Sequence, residues 1–118
     1  MSSGEHYEQR AADWLAARGL TVIARNYRCR CGEIDLIATE QQQLVFVEVR
    51  ARSNPRYASA AASVDARKRW RLIRSAQLFL QQHPRLAAMA CRFDVIAFEP
   101  RQSLPDAEPR WIRAAFTS

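Results

Sequence analysis

The hydrophobic pattern is strongest in two neighbouring stretches, residues 32–38 and 44–50, each a β-branched, apolar run interrupted by single carboxylates, with polar residues 40–43 between them. Short apolar runs bounded by a polar break predict a β-hairpin. A four-residue loop at 40–43 pairs Thr39 with Leu44, and in that register Asp35 lies opposite Glu48. Arg50 follows on the same face, while Val45, Val47 and Val49 point to the other face and into a core. Upstream, Tyr7, Ala11, Trp14 and Leu15 recur at helical spacing over residues 5–18, with Gly19 as the stop. Residues 20–24 read as a strand and 25–30 as a basic link. Downstream of a turn or loop at 52–57, a second helix is expected over about 63–83. It places Leu72, Ile73, Ala76, Phe79 and Leu80 on one stripe and Arg67, Arg71 and Arg74 on the other, and Pro84 ends it. Residues 91–98 predict a strand in which Asp94 is a structural ion-pair or cap partner. Prolines at 100, 105 and 109 make a loop, and 111–116 adds a short strand or helix. This order of elements predicts an α/β sandwich, a mixed β-sheet flanked by helices.

A chain of 118 residues, 48% hydrophobic, is long enough for one core and too short for two ordinary domains. The expectation is one domain over 1–118, with an ordered core at about 5–98 and a C-terminal loop and terminal element at 99–118. Basic residues outnumber acidic ones 18 to 12, giving a net charge of +6, which favours a polyanionic partner such as nucleic acid. No run is apolar enough to span a bilayer and the first residues do not resemble a secretion signal, so no membrane association and a cytoplasmic location are expected. Cys29, Cys31 and Cys91 lack the spacing of a zinc site and read as reduced thiols.

Two opposed carboxylates about 5 Å apart repel by about 3 kcal/mol at an effective dielectric of about 20. A cation belongs beside them. Arg50 could supply it, as a structural ion cluster, or Mg²⁺ or Mn²⁺ could, since both prefer carboxylate oxygens. Glu33 shares the face of Asp35 and either supports such a site or simply ends the strand. Glu8 suits the first turns of a helix, where a negative charge opposes the dipole. Arg25, Arg28 and Arg30, interleaved with Tyr27, suit phosphate contact and stacking or a solvated basic turn; Arg52, Arg67, Arg71 and Arg74 extend the same choice.

The segments Tyr7-Glu8-Gln9-Arg10, Arg25-Asn26-Tyr27-Arg28, Gly32-Glu33-Ile34-Asp35, Val45-Phe46-Val47-Glu48-Val49-Arg50, Val64 to Lys68 and Arg92-Phe93-Asp94 together resemble the YraN-like family of small bacterial proteins across nearly the whole chain. Within them, Asp35, a spacer and Glu48-Val49-Arg50 resemble the PD-(D/E)XK motif of restriction-endonuclease-like nucleases, a group that includes archaeal Holliday-junction resolvases. The resemblance implies a restriction-endonuclease-like sandwich and a DNA endonuclease acting on branched or structured substrates. It also implies Asp35, Glu48 and Glu8 as ligands of Mg²⁺ or Mn²⁺, and, by analogy with resolvases, a homodimer. Ile34 stands where the motif has proline, Tyr7 where the family often has glycine, and Arg50 where the motif has lysine. Lys68, near the start of the second helix, is the candidate to have taken over the lysine role, leaving Arg50 to clamp a phosphate or carboxylate. The alternative is a non-catalytic nucleic-acid-binding or adaptor module that keeps the fold and its basic faces.

Overall fold

Both helices have ends written in local chemistry. The structure is a computed structural model describing residues 3–51, 60, 63–99 and 108–116. Helix α1 spans Ser3–Ala17 and closes on Gly19, whose φ of 93° lets its N–H donate to Ala16 O (3.2 Å) and that of Leu20 to Leu15 O (3.1 Å). These two bonds satisfy carbonyls that the helix leaves open. Helix α2 spans Ala66–Gln82 and starts where Asp65 accepts from Lys68 N at 2.9 Å. That cap sets the start three residues later than hydrophobic spacing alone suggests.

Five strands form one sheet in the order β1-β2-β3-β4-β5: β1 Thr21–Cys29, β2 Gly32–Glu40, β3 Gln43–Ala51, β4 Ala90–Phe98 and β5 Arg110–Phe116. All neighbours are antiparallel except β3 and β4, whose parallel pairing requires the crossover that α2 and the 3-10 turn Leu86–Ala88 provide. The fold is therefore a mixed α/β sandwich. Helix α1 covers one face of the sheet with Ala11, Ala12 and Leu15 against Leu36, Ala38, Val45, Val47 and Ile96. On the opposite face Leu72, Ala76 and Phe79 of α2 pack against Ile37, Leu44, Phe46, Phe93 and Val95.

The hairpin register is the expected one, Thr39 facing Leu44. Its turn is tighter than expected, because Glu40 pairs with Gln43 and only Gln41 and Gln42 lie between, with Gln41 at φ 54°. Residues 25–29 are not a link but the second half of β1, which a bulge between Val22 and Ala24 lets continue along β2. The terminal stretch resolves to a strand. Asp94, fully buried, accepts from Trp111 Nε1 and Ala114 N of β5, both at 2.9 Å, and pairs with Arg92 at 3.0 Å. Arg92 and Arg113 both also bond Glu40 at the end of β2, tying three strands together away from the helix N-termini.

Candidate active site

The β2–β3 ladder stops at Leu36↔Val47. One rung further, the Val49 N–H donates not to a backbone carbonyl but to Asp35 Oδ2 at 2.8 Å. At the same level the facing of the strands turns over. Leu36 packs in the α1-side core and Ile34 in the α2-side core, although strand geometry should put both on one face. Paired β1 does the same about Asn26, at φ 51°: Arg25 bonds Gln9 of α1 (2.7 Å) and Tyr27 bonds Gln82 of α2 (2.8 Å). Asp35 occupies the crossing point, so its carboxylate reaches acids on both sides of the sheet.

On the α1 side, Glu8 and Glu33 join it: each of the three acids has a carboxylate oxygen within 4.8 Å of the others. Asn26, with its amide nitrogen turned toward these acceptors, donates to Glu8 Oε1 at 2.8 Å and Glu33 Oε1 at 3.0 Å. Burial, followed by the charges of Asp35, Glu33 and Glu5, pushes the Glu8 carboxyl up to about 7 against a weaker opposite pull from Arg28. On the α2 side stands Glu48, only 3% exposed. Burial, then its hydrogen bond to Asp35 and that residue's charge, pushes Glu48 up to about 9, with Lys68 and Arg50 opposing. Glu48 thus holds a proton at neutral pH.

Lys68 Nζ lies 3.7 Å from Glu48 Oε2, near enough for an ion pair and too far for a hydrogen bond, so that oxygen is buried without a hydrogen-bond partner. Arg50 is turned elsewhere, donating from Nε to Ser63 Oγ at 2.9 Å. Of the 18 basic residues Lys68 is the one lysine, a signal legible in the sequence that residue spacing alone does not draw out. Asp35, Glu48, Glu8, Arg50 and Lys68 all line one cleft of about 430 Å³ between the first turns of the two helices. A second recess of about 170 Å³ adjoins it, sharing Arg50 and Lys68 and adding Ser63, Asp65, Arg67 and Arg71.

The remaining candidates are dispersed. Arg25 lines a shallow hollow with Glu8 and Asn26 on the α1 side. Arg28 is paired with Glu33 at 3.6 Å, and Arg30 lies in the turn between β1 and β2. Arg67, Arg71 and Arg74 are exposed on α2. Arg52 lies outside the described residues. Asn26, as the donor that holds Glu8 and Glu33 together, and Ser63, as the partner of Arg50, enter the site through tertiary geometry alone.

A family described as "Uncharacterised protein family UPF0102" matches residues 7–98, and the YraN-like resemblance corresponds to it. A UPF0102 protein of Aeromonas hydrophila is 51% identical over 116 residues, which cover 98% of this chain and 85% of the relative. One of Alcanivorax borkumensis is 48% identical, covering 99% and 93%, and one of Methylococcus capsulatus 50%, covering 96% and 89%. No helix among the described residues is long and apolar enough to cross a membrane.

Proposed function

The chain belongs to UPF0102, a family whose description assigns no activity, and from the chemistry of its cleft we propose that it is a metal-dependent phosphodiesterase acting on nucleic acid, with DNA as the favoured substrate. The observation that carries this reading is Glu48: a carboxyl group with one oxygen buried without a hydrogen-bond partner, set against a second carboxylate in a solvent-connected cleft. Such a group is costly to keep unless something completes it. The donor set fits Mg²⁺ or Mn²⁺, since Asp35 with Glu48 on one side and Glu8 on the other offers only hard oxygens. Asn26, donating to both Glu8 and Glu33, holds Glu8 toward that place. Bound there, such an ion supplies Lewis acidity, which acidifies water and stabilises the charge that builds on a scissile phosphate.

The protein's own groups divide the remaining work. Glu48 must release its proton to act as a ligand, and Lys68 beside it offers a compensating charge. Lys68 can also hold or release a proton at Nζ, which Arg50 cannot, because a guanidinium stays charged at any working pH. Arg50, held by Ser63 at the mouth shared by both hollows, is placed to bind a phosphate oxygen. The same reading takes the sandwich as a small restriction-endonuclease-like fold related to Holliday-junction resolvases, with branched or structured DNA as substrate and a homodimer as the form suited to cutting two strands. Incubation of the pure protein with labelled single-stranded, flapped and four-way-junction DNA in Mg²⁺ or Mn²⁺ at low salt tests it. Cleavage that disappears in Asp35→Asn is expected; no cleavage of any substrate by the wild type sinks the proposal.

A second reading has its own support. The proton that Glu48 keeps, its hydrogen bond to Asp35 and the Lys68 ammonium 3.7 Å away balance the buried carboxyl groups without a metal, as a non-catalytic nucleic-acid-binding or adaptor module would require. Calorimetric titration separates the two, because Mn²⁺ uptake that Asp35→Asn abolishes belongs only to the enzyme.

A further inference from the structure

Trp70 is 61% exposed, and among the described residues the only other large apolar side chain so open to solvent is Ile23. Core packing does not explain it. The buried stripe of α2 is Leu72, Ser75, Ala76 and Phe79, and Trp70 points almost directly away from it. Residues three and four apart on a helix are surface neighbours, so Arg67 and Arg74 flank the indole, and Arg71, one turn from each of them, continues the row toward the cleft. The Arg74 guanidinium is 5.8 Å from the ring centroid, within range of a cation–π contact.

These arginines also lack an acidic partner, Arg74 bonding only the neutral Gln77 Oε1 at 3.2 Å. Arg28, Arg92, Arg110 and Arg113 each pair with a carboxylate, whereas no carboxylate of the described residues pairs with Arg67, Arg71 or Arg74. Arg67 and Arg71 line the 170 Å³ recess together with Lys68, whose Nζ reaches Glu48. A continuous cationic path therefore leads from the acidic cleft, over α2, to an exposed indole. Arginines alone would serve any polyanion. An aromatic face among them is a stacking platform for a base, and a duplex keeps its base faces stacked on one another.

We infer that the outer face of α2 is a binding strip for single-stranded nucleic acid, which takes phosphates on Arg67, Arg71 and Arg74 and stacks an unpaired base on Trp70. The inference names the substrate class for the proposed phosphodiesterase and rests on that reading only for what lies in the cleft, because binding on this face needs neither metal nor catalysis. Fluorescence anisotropy, in EDTA so that no cleavage enters, with a labelled single strand and with its duplex, tests it on the full chain. Trp70→Ala should weaken single-strand binding about tenfold or more and leave duplex binding within about twofold, a change that reflects only charge contacts the variant keeps. Trp70→Phe, which retains a ring, should recover most of the loss and thereby separates stacking from a folding defect. Matched DNA and RNA strands show which sugar is preferred, and tighter binding of either single strand than of its duplex supports the strip. Single-strand affinity unchanged in Trp70→Ala, or an equal loss on single strand and duplex, overturns it. A protein that cleaves DNA yet gives that unchanged affinity retains its cleft and loses the strip; one that never cleaves yet shows the selective loss does the reverse.

Discussion

At neutral pH the Glu48 carboxyl keeps its proton, since burial and the hydrogen-bonded Asp35 push it up to about 9 from an ordinary 4.5. Between those values the folded chain binds a proton that the unfolded chain has lost. Stability contributed by this group is therefore fully present below pH 4.5 and declines as pH rises to about 9, by up to about 1.4 kcal/mol per pH unit for one proton. Glu48→Gln should remove that slope, so thermal melting of the two proteins should diverge in favour of the variant as pH climbs. Mg²⁺ or Mn²⁺ should raise the melting temperature of the wild type, and more so at pH 9 than at pH 6, because ligation displaces the proton. A rise that survives Glu48→Gln but not Glu8→Gln would place the ion among Glu8, Glu33 and Asp35 instead. Cation roles can be ranked in the same way: Lys68→Ala should slow metal-dependent cleavage more than tenfold, about 1.4 kcal/mol or more of transition-state stabilisation, while Arg50→Lys should retain or raise it. The reverse order in single-turnover rates would make Arg50 the essential cation. Since Lys68 is the only lysine, amine acetylation offers a second route to the same answer, removing its charge without a mutation.

Among the elements, α2 joins core and charge most directly. Replacing Arg67, Arg71 and Arg74 together with glutamine should reduce the slope of log affinity for duplex DNA against log salt by up to about three units, each phosphate contact contributing about 0.9. A slope equal to that of the wild type would leave the row a solvated face. The helix, its stripe and its stop at Pro84 were legible because a 3.6-residue period and a proline are local signals. The hairpin register was legible for a similar reason, since period-two burial fixes which residues face each other. The turnover at Asp35 was not. It depends on Asn26 adopting a left-handed φ and on two paired strands rotating together, and neither leaves a mark in the hydrophobic pattern. For that reason Asn26 was hidden as a participant, the choice for Glu33 between supporting the site and ending the strand stayed open, and residues 25–29 resembled a link when they are strand. Asp65 likewise shifted the start of α2, because capping outweighs hydrophobic period at a helix end.

Across the whole molecule, charge is partitioned between the two ends of the sheet. At one end Asp94, Arg92, Glu40 and Arg113 neutralise one another, with the Glu40 carboxyl lowered by hydrogen bonds from Arg113 and Arg92 that outweigh the effect of its burial. At the other end acids gather without enough partners. Asp94→Ala should cost about 3 kcal/mol in urea unfolding, because it leaves the Trp111 and Ala114 donors that dock β5 without their buried acceptor and takes from Arg92 one of its two carboxylate partners, Glu40 remaining. A loss below about 1 kcal/mol would show that β5 is held by its backbone pairing instead. Asp94 as an ion-pair partner was foreseeable, since a carboxylate in an apolar run needs one, and Arg92 supplies it two residues away; that its other donors, Trp111 and Ala114, come from a strand beyond three prolines was not, because contacts between segments distant in sequence leave no periodicity.

The rung in which Asp35 replaces a backbone carbonyl gives the protein an internal spectator. The Val49 amide bonds directly to the carboxylate that the proposed ion would use, so its proton and nitrogen resonances should move when that carboxylate changes charge or gains a ligand. In a ¹⁵N-correlated NMR titration, the Val49 cross-peak should shift with Mg²⁺ in the wild type, and residues at the hairpin turn, such as Gln42, should stay still. The midpoint of that movement would give the affinity of the cleft for the ion without any nucleic acid, cleavage or mutation. If the Val49 peak stands still under saturating Mg²⁺, this carboxylate is not the one that takes the cation.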